Sequence, residues 1–434
     1  MPLVPRDPVR FNRACNVAAA LWLGVVLPAS YLARPTLGDF HAFYAAAVAV
    51  RGGEWDAVYP ARLADKPYFI YWAFELKPRQ RELAARHGFD YVEPFIQPPW
   101  TAVLLAPLAW VPYRAAYAGW VAASVACAWV VAVAAGRSAA ACAGRPVRLA
   151  GAVTLLVACS PLAFRIVRSG NVSMMAGAAV AAALAGLRAD RAGRAAAGLV
   201  VGGVLKYATV ALVPLAVVLG RWRVLAAVAA AGLAVLGLSL AVAGPAAFAD
   251  FDRTVAATAG DSVPWRVNQS VWGFLLRVTG AAPLPATVRV PVRAAQWVLL
   301  AGLLAILWRR RTAIRRGGAE LFAAAAALLA WLLAFGPVCW EHYLAYLLPL
   351  WGWLAWEGRQ SVARGAAAAA AIGLVFVPLP VVLWLRLDEP WNSSVLASLA
   401  LTGGLAWVRL LRGDARRGPA GEALSVTPAA GRED

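Results

Sequence analysis

The chain has 434 residues, 62% of them hydrophobic, with a mean hydropathy of +0.65 and a formal net charge of +19. That apolar share lies well above the about 45–50% of soluble domains, and apolar runs of the roughly 20 residues a helix needs to cross a bilayer recur from end to end. On a soluble protein the charge would suggest nucleic acid; here it is confined to short gaps between apolar runs, which excludes a nucleic-acid partner and leaves an all-α, polytopic membrane protein.

In chain order, Arg6, Arg10 and Arg13 precede a first apolar run at about 14 to 33. The run is too long for a signal-peptide core and has no convincing cleavage site, so it is expected to remain as the first span, with the N-terminus cytoplasmic by the positive-inside rule. It delivers residues 34–97 to the outer face. That segment differs from the other gaps: its bases Arg34, Arg51, Arg62, Lys66, Lys77, Arg79, Arg81 and Arg86 are matched by Asp39, Glu54, Asp56, Asp65, Glu75, Glu82, Asp90 and Glu93. It opens with Gly38-Asp39-Phe40-His41-Ala42-Phe43-Tyr44, which reads as an amphipathic helix lying along the membrane surface. Asp39 has two readings, a helix N-cap or a carboxylate held at the interface to take a proton from a hydroxyl.

The run at about 98 to 135 is expected to be one long crossing broken at Pro107 and Pro112, returning the chain to Arg137, Arg145 and Arg148. Crossings at about 149–165 and 172–187 then enclose an outer turn carrying Arg165, Arg168 and Asn171. Arginines on that side run against the positive-inside trend, so they either clamp a phosphate or pair with acids of the first loop. The run at about 195–220 has arginines on both flanks (Arg188, Arg191 and Arg194; Arg221 and Arg223), which a single crossing would place on opposite faces. Two half-helices meeting near Lys206 satisfy the charges better. Lys206 is the only lysine after Lys77. An ammonium at membrane depth faces a cavity or an anion unless it snorkels to an interface.

Further crossings at about 224–243, 291–308, 319–336, 342–356, 364–386 and 393–411 bring the membrane segments to about twelve. Their outer loops fall at about 244–290, 337–341 and 387–392, giving one multi-pass domain over residues 1–411 and a disordered cytoplasmic tail over 412–434. The acids agree with this arrangement: besides the eight of the first loop, Asp250, Asp252, Asp261, Glu341, Asp388 and Glu389 all fall outside. His342, in Trp340-Glu341-His342-Tyr343, has a structural reading as well as a functional one, and Asn268-Gln269-Ser270 reads as a helix start or a polar patch. Asn268-Gln269-Ser270 and Asn171-Val172-Ser173 also fit the glycosylation pattern, which is common by chance. The five cysteines give no disulfide framework, and many of the 20 tryptophans sit at span ends as interfacial anchors. No phosphate-binding glycine loop, zinc cluster or nucleophile elbow occurs, which argues against nucleotide-driven chemistry.

Taken in order, Gly38-Asp39-Phe40 with Tyr44, Gln97-Pro98-Pro99, Pro107-Leu108-Ala109, Arg168-Ser169-Gly170-Asn171, Gly203-Val204-Leu205-Lys206, Asn268-Gln269-Ser270 and His342-Tyr343 resemble glycosyltransferase family 87. That family belongs to the GT-C superfamily, and the resemblance covers most of residues 30–350. It implies an inverting hexosyltransferase that moves a sugar, usually mannose, from a polyprenyl-phosphate donor to a lipid or glycan hydroxyl on the outer face of the plasma membrane. Asp39 would be the general base. Lys206, Arg168 and His342 would hold the donor phosphate, and Tyr44, Gln97, Asn171, Asn268, Gln269 and Glu341 would line the substrates. The chain departs from the family pattern at Asn171, where glutamine is more usual, and at Tyr207, where proline commonly follows the lysine. With these basic groups a metal or other cofactor is not required, since the protein has only to deprotonate the acceptor and stabilise the departing phosphate. Two alternatives stand beside this reading: a secondary transporter with its site at the broken hairpin around Lys206, and a noncatalytic lipid-binding scaffold.

Overall fold

The structure, a computed structural model, describes residues 7–28, 39–60, 62–63, 74–75, 77–86, 95–144, 147–257, 268–281, 283–376 and 394–412. Expectations for Gly38, the middle of the first loop, the 387–392 loop and the tail beyond Arg412 lie outside these residues. Within them the fold is helical, apart from a two-residue antiparallel pairing of β1 (Arg62–Leu63) with β2 (Phe74–Glu75). Among the described residues five helices are long and apolar enough to cross a membrane: Tyr113–Ala143, Arg148–Ser169, Trp222–Ala256, Ala286–Arg309 and Val395–Arg412. Shorter apolar helices pack among them.

The first helix, α1 (Pro8–Leu21), starts on Asp7, whose carboxylate accepts the Val9 amide at 2.8 Å, and a π-turn at Trp22–Val26 extends it. Next come α2 (Phe40–Arg51) and α3 (Pro78–Arg86), then α4 (Pro99–Leu105), which runs into a 3-10 turn at Ala106–Trp110. The chain then breaks, because Pro112 lacks an N–H and forces Val111 into an extended conformation (φ −115°, ψ 150°). The following helix, α5 (Tyr113–Ala143), is 31 residues long. At 1.5 Å per residue it spans about 46 Å and needs no help to cross a bilayer.

This corrects the expectation of one broken crossing over 98–135. The Gln97 carbonyl accepts from the Tyr59 hydroxyl at 2.9 Å and the Val111 carbonyl from the Tyr44 hydroxyl at 3.0 Å. Both ends of the 97–111 segment are therefore held beside α2, at one end of the bundle, and the segment does not traverse it.

Helices α6 (Arg148–Ala158) and α7 (Pro161–Ser169) meet at Ser160, whose hydroxyl caps the Ala163 amide at 3.1 Å. After α8 (Ser173–Arg188) and α9 (Ala192–Leu205), the backbone at Lys206 is extended (φ −160°, ψ 144°). The chain returns through a 3-10 stretch, Tyr207–Leu212, and α10 (Val213–Val218). An Arg221–Asp190 ion pair of 2.5 Å closes the base of this hairpin, and the Thr209 hydroxyl stitches its arms to the Leu199 carbonyl at 2.7 Å. Lys206 thus sits at the tip of two half-helices. The long α11 (Trp222–Ala257) breaks at Gly244–Pro245, and its second half reaches the first loop through an Asp250–Lys77 pair of 3.4 Å.

Then follow α12 (Val271–Thr279), α13 (Ala286–Arg309), α14 (Arg311–Arg315) and α15 (Ala319–Phe335), whose small residues Ala323 to Ala327 are buried at the centre of the bundle. Two 3-10 stretches, Glu341–Tyr346 and Leu348–Leu350, lead into α16 (Trp351–Gly358). Because 3-10 geometry rises about 2.0 Å per residue, this path covers about 32 Å with fewer residues than an α-helix would need. The last described helices are α17 (Val362–Phe376) and α18 (Ser394–Arg412).

The gaps read as cytoplasmic meet one another at one end of the bundle. Arg188 lies against Gly317, Arg315 approaches Gly220, and Arg409 pairs with Glu320 at 2.5 Å. Asp39, Asn171, Lys206 and His342 lie together at the other end.

Candidate active site

A glycine brings the first two of these residues together. At Gly170, which ends α7, the backbone is left-handed (φ 68°), and a Cβ there would lie 2.6 Å from the Phe40 Cβ. Only glycine allows both the conformation and the approach. The Trp120 indole fixes the turn by donating to the Gly170 carbonyl at 2.8 Å. The first turn of α2 thereby rests on the start of α8, with Asp39 beside Asn171.

Asp39 stands at the N-cap position of α2 without capping it. Its backbone is helical (φ −52°, ψ −25°) and its side chain makes no capping hydrogen bond. Instead its Oδ2 accepts a short hydrogen bond from Asn171 Nδ2. The same amide nitrogen lies 3.4 Å from His342 Nε2, and Lys206 Nζ lies 3.3 Å from that atom. Amide and ammonium nitrogens only donate, so Nε2 accepts, which leaves His342 neutral with its proton on Nδ1. Lys206, 4% exposed, also places its ammonium 4.1 Å from the centre of the Tyr343 ring, a favourable cation–π position. Asp39 and Lys206 are close enough to interact electrostatically. The result is a chain of polar contacts, Asp39–Asn171–His342–Lys206, drawn from four separate stretches of sequence.

The neighbouring groups hold this chain in place. Gly177 in α8 lets the Ala345 carbonyl approach, since a Cβ there would lie 2.7 Å from it; the 3-10 stretch that begins beside His342 therefore packs directly on α8. Asn268, 1% exposed, accepts the Cys339 amide at 3.0 Å and the Ser270 amide at 3.1 Å and donates to the Pro337 carbonyl at 3.2 Å. Its polar atoms all engage the protein, bracing the loop that carries His342. Gln269 adds a backbone bond to the Cys339 carbonyl at 2.6 Å. The Tyr207 hydroxyl donates to the Val338 carbonyl at 3.0 Å, which ties the hairpin to the same loop.

Other expected site residues stand elsewhere. Glu341 pairs with Arg165 at 2.6 Å. The partner of Arg165 is thus an acid of the 337–341 loop rather than of the first loop. Arg168 is exposed, within electrostatic reach of Tyr117. The Tyr44 hydroxyl engages Val111, as described, and Gln97 is half-buried. Among the described residues no group of three or more His, Cys, Asp or Glu side chains is placed to hold an ion.

Residues 95–337 match the sequence model of glycosyltransferase family 87. The chain belongs to glycosyltransferase family 87. Among curated proteins and solved structures, none matches it significantly. The matched region contains Gln97, Arg168, Asn171, Lys206, Asn268 and Gln269; Asp39, Tyr44, Glu341 and His342 lie outside it and join the site through the fold. A glycosyltransferase needs a donor and an acceptor, and family membership decides for an enzyme over the transporter and the scaffold.

Sequence reading missed Ser173 and gave Tyr343 no role. Tyr343 stood in the His342-Tyr343 motif. Ser173 stood in the Asn171-Val172-Ser173 pattern set aside as chance. Here that pattern and Asn268-Gln269-Ser270 are the same device, an asparagine oxygen accepting the backbone amide two residues on, at 2.8 and 3.1 Å, at the heads of α8 and α12.

Proposed function

We propose that this glycosyltransferase moves a sugar, mannose, from a polyprenyl-phosphate carrier to a hydroxyl of a lipid or glycan on the outer face of the plasma membrane, inverting the anomeric centre. The observation that carries this reading is a carboxylate and an ammonium at the same end of the bundle, joined through two neutral side chains. Asp39 takes the proton from the acceptor hydroxyl as its oxygen attacks the anomeric carbon, and the bond from that carbon to the phosphate oxygen breaks on the opposite face. The departing polyprenyl phosphate gains negative charge, which Lys206 stabilises through its ammonium, with Arg168 approaching from the exposed end of α7. His342, between Asn171 and Lys206, holds the ammonium in position.

A carrier whose long apolar tail stays in the membrane suits a cation presented at the tip of a membrane hairpin. The aromatic floor of α2 and α5, where Phe40 packs on Tyr113, Tyr117 and Trp120 at 5.3–5.7 Å, supports the attacking end of the site. The segregation of acids and arginines along the chain supports an outward-facing site.

The donor assignment is tested with membranes containing the protein, supplied separately with labelled polyprenyl-phosphate mannose, polyprenyl-phosphate glucose and nucleotide-linked mannose. Label should pass to membrane glycolipid or glycan from the first alone. Transfer from the nucleotide sugar, in membranes unable to make the polyprenyl intermediate, overturns the lipid-carrier reading.

A further inference from the structure

The hydrogen bonds of Asn171 define a role for it. The backbone N–H of Ser173 can only donate, so the side-chain atom 2.8 Å from it must be the amide oxygen. The Ser173 hydroxyl, wholly buried, donates to that same oxygen at 2.6 Å. Two donors on Oδ1 leave the amide one orientation, with both Nδ2 hydrogens turned toward Asp39 Oδ2 and His342 Nε2.

We propose that Asn171, oriented by Ser173, is a positioning residue that fixes the Asp39 carboxylate for proton abstraction and ties it to the His342–Lys206 side of the site. This rests on the reading of Asp39 as the base. By donating to Oδ2, the amide leaves Oδ1 as the oxygen presented to the acceptor. Because both hydrogens of one nitrogen are used, a shift of His342 toward the donor phosphate would alter the hold on Asp39, which couples donor binding to alignment of the base. Ser173 takes part without touching either substrate.

A purely structural role is the competing explanation, since an asparagine oxygen accepting an amide two residues on is also how a helix is capped. Asn171→Asp separates the two. A carboxylate still accepts from the Ser173 amide and hydroxyl, so the cap survives, but the donor to Asp39 is replaced by a second negative charge. The measurement is transfer from labelled polyprenyl-phosphate mannose as a function of donor concentration and pH, with the thermal midpoint of each purified variant.

For Asn171→Asp the expected result is a fall in kcat of about 100-fold, in the range of a general base's contribution, with a near wild-type thermal midpoint. The acid limb of the profile should move to higher pH, because a neighbouring carboxylate raises the pH at which the base loses its proton. Ser173→Ala, which keeps the backbone donor, should shift the limb in the same direction with a smaller loss of kcat, and it serves as the test if Asn171→Asp fails to fold. Wild-type kcat and an unmoved acid limb in a folded Asn171→Asp protein, or in Ser173→Ala if that is the variant that folds, overturn the positioning role. Asp39→Asn assayed alongside distinguishes the two readings. If Asp39→Asn is inactive while Asn171→Asp behaves as wild type, only the positioning role fails; if Asp39→Asn keeps wild-type turnover, or the wild type transfers no label from this donor, the reading beneath it fails.

Discussion

Asp39 and Lys206 are held differently from the charges at the arginine end of the bundle. At the arginine end, each of the four described acids has an arginine partner: Asp7 with Arg10 at 3.8 Å, Asp190 with Arg221 at 2.5 Å, Glu320 with Arg409 at 2.5 Å, and the buried Glu357 with Arg364. At the Asp39 end, no ion pair among the described residues joins Asp39 or Lys206 to an opposite charge; a neutral amide and a neutral imidazole stand between them. A paired charge stabilises the fold and is occupied, whereas one held by neutral hydrogen-bonding groups still has its field to offer a substrate. The contrast sets Asp39 and Lys206 apart from the paired charges, including Arg165–Glu341 at their own end.

Substitutions can break that contrast. Lys206→Met removes the one cation in the polar chain while keeping side-chain volume, and should raise the donor KM or lower kcat enough to cut kcat/KM by about 100-fold, the worth of a charge-assisted phosphate contact of nearly 3 kcal/mol. Initial rates against donor concentration check it; an unchanged kcat/KM would remove Lys206 from the donor site. Arg409→Leu at the other end should do the reverse. It leaves Glu320 buried without its partner and should destabilise the protein by about 3 kcal/mol, read as a lower thermal midpoint, while kcat per folded molecule holds. A comparable loss of kcat in folded protein would mean that the two ends are not functionally separate.

The smallest effect is expected in the first loop. Hydrogen bonding to Arg79 is the main cause that holds the Glu54 and Glu82 carboxyls below their usual range. Groups with lowered folded-state values contribute stability above their unfolded values and lose it as pH falls through the folded ones. The loop should therefore loosen below about pH 4, and Arg79→Ala should flatten that dependence with little cost at neutral pH, since Arg79 and Glu54 are partly exposed. Limited proteolysis of the loop against pH reads both; an unchanged pH dependence in Arg79→Ala would rule out this pair as its source.

Much of the working end was legible in the sequence because its residues are exceptions to local rules. Lys206 is a lysine in an arginine-rich chain, and arginines on both flanks required a hairpin around it. Asp39 stood out at the start of a run expected to lie amphipathic on the membrane surface; the helix it begins, α2, is instead buried on nearly all sides, Phe40, His41, Phe43, Tyr44 and Val50 included. What could not be read was pairing between distant segments. Arg165 finds Glu341 across more than half of the matched region, and Asn268 braces a loop far along the chain; nothing local to either encodes a partner. The 97–111 segment misled for a different reason. Its apolar composition matches a crossing, but the side chains of Tyr59, Tyr44 and Arg51, from the first loop, hold both its ends on one side. The path that starts at Glu341 is short in sequence because 3-10 geometry stretches it, which hydropathy does not register.

The central claim is that Asp39 is the base, and its most direct test is the rate of sugar transfer by Asp39→Asn in membranes containing matched amounts of folded protein. Asparagine keeps the size of the side chain but cannot take the acceptor's proton. The account predicts a loss of at least about 100-fold in kcat with donor binding retained. Transfer at the wild-type rate would contradict it.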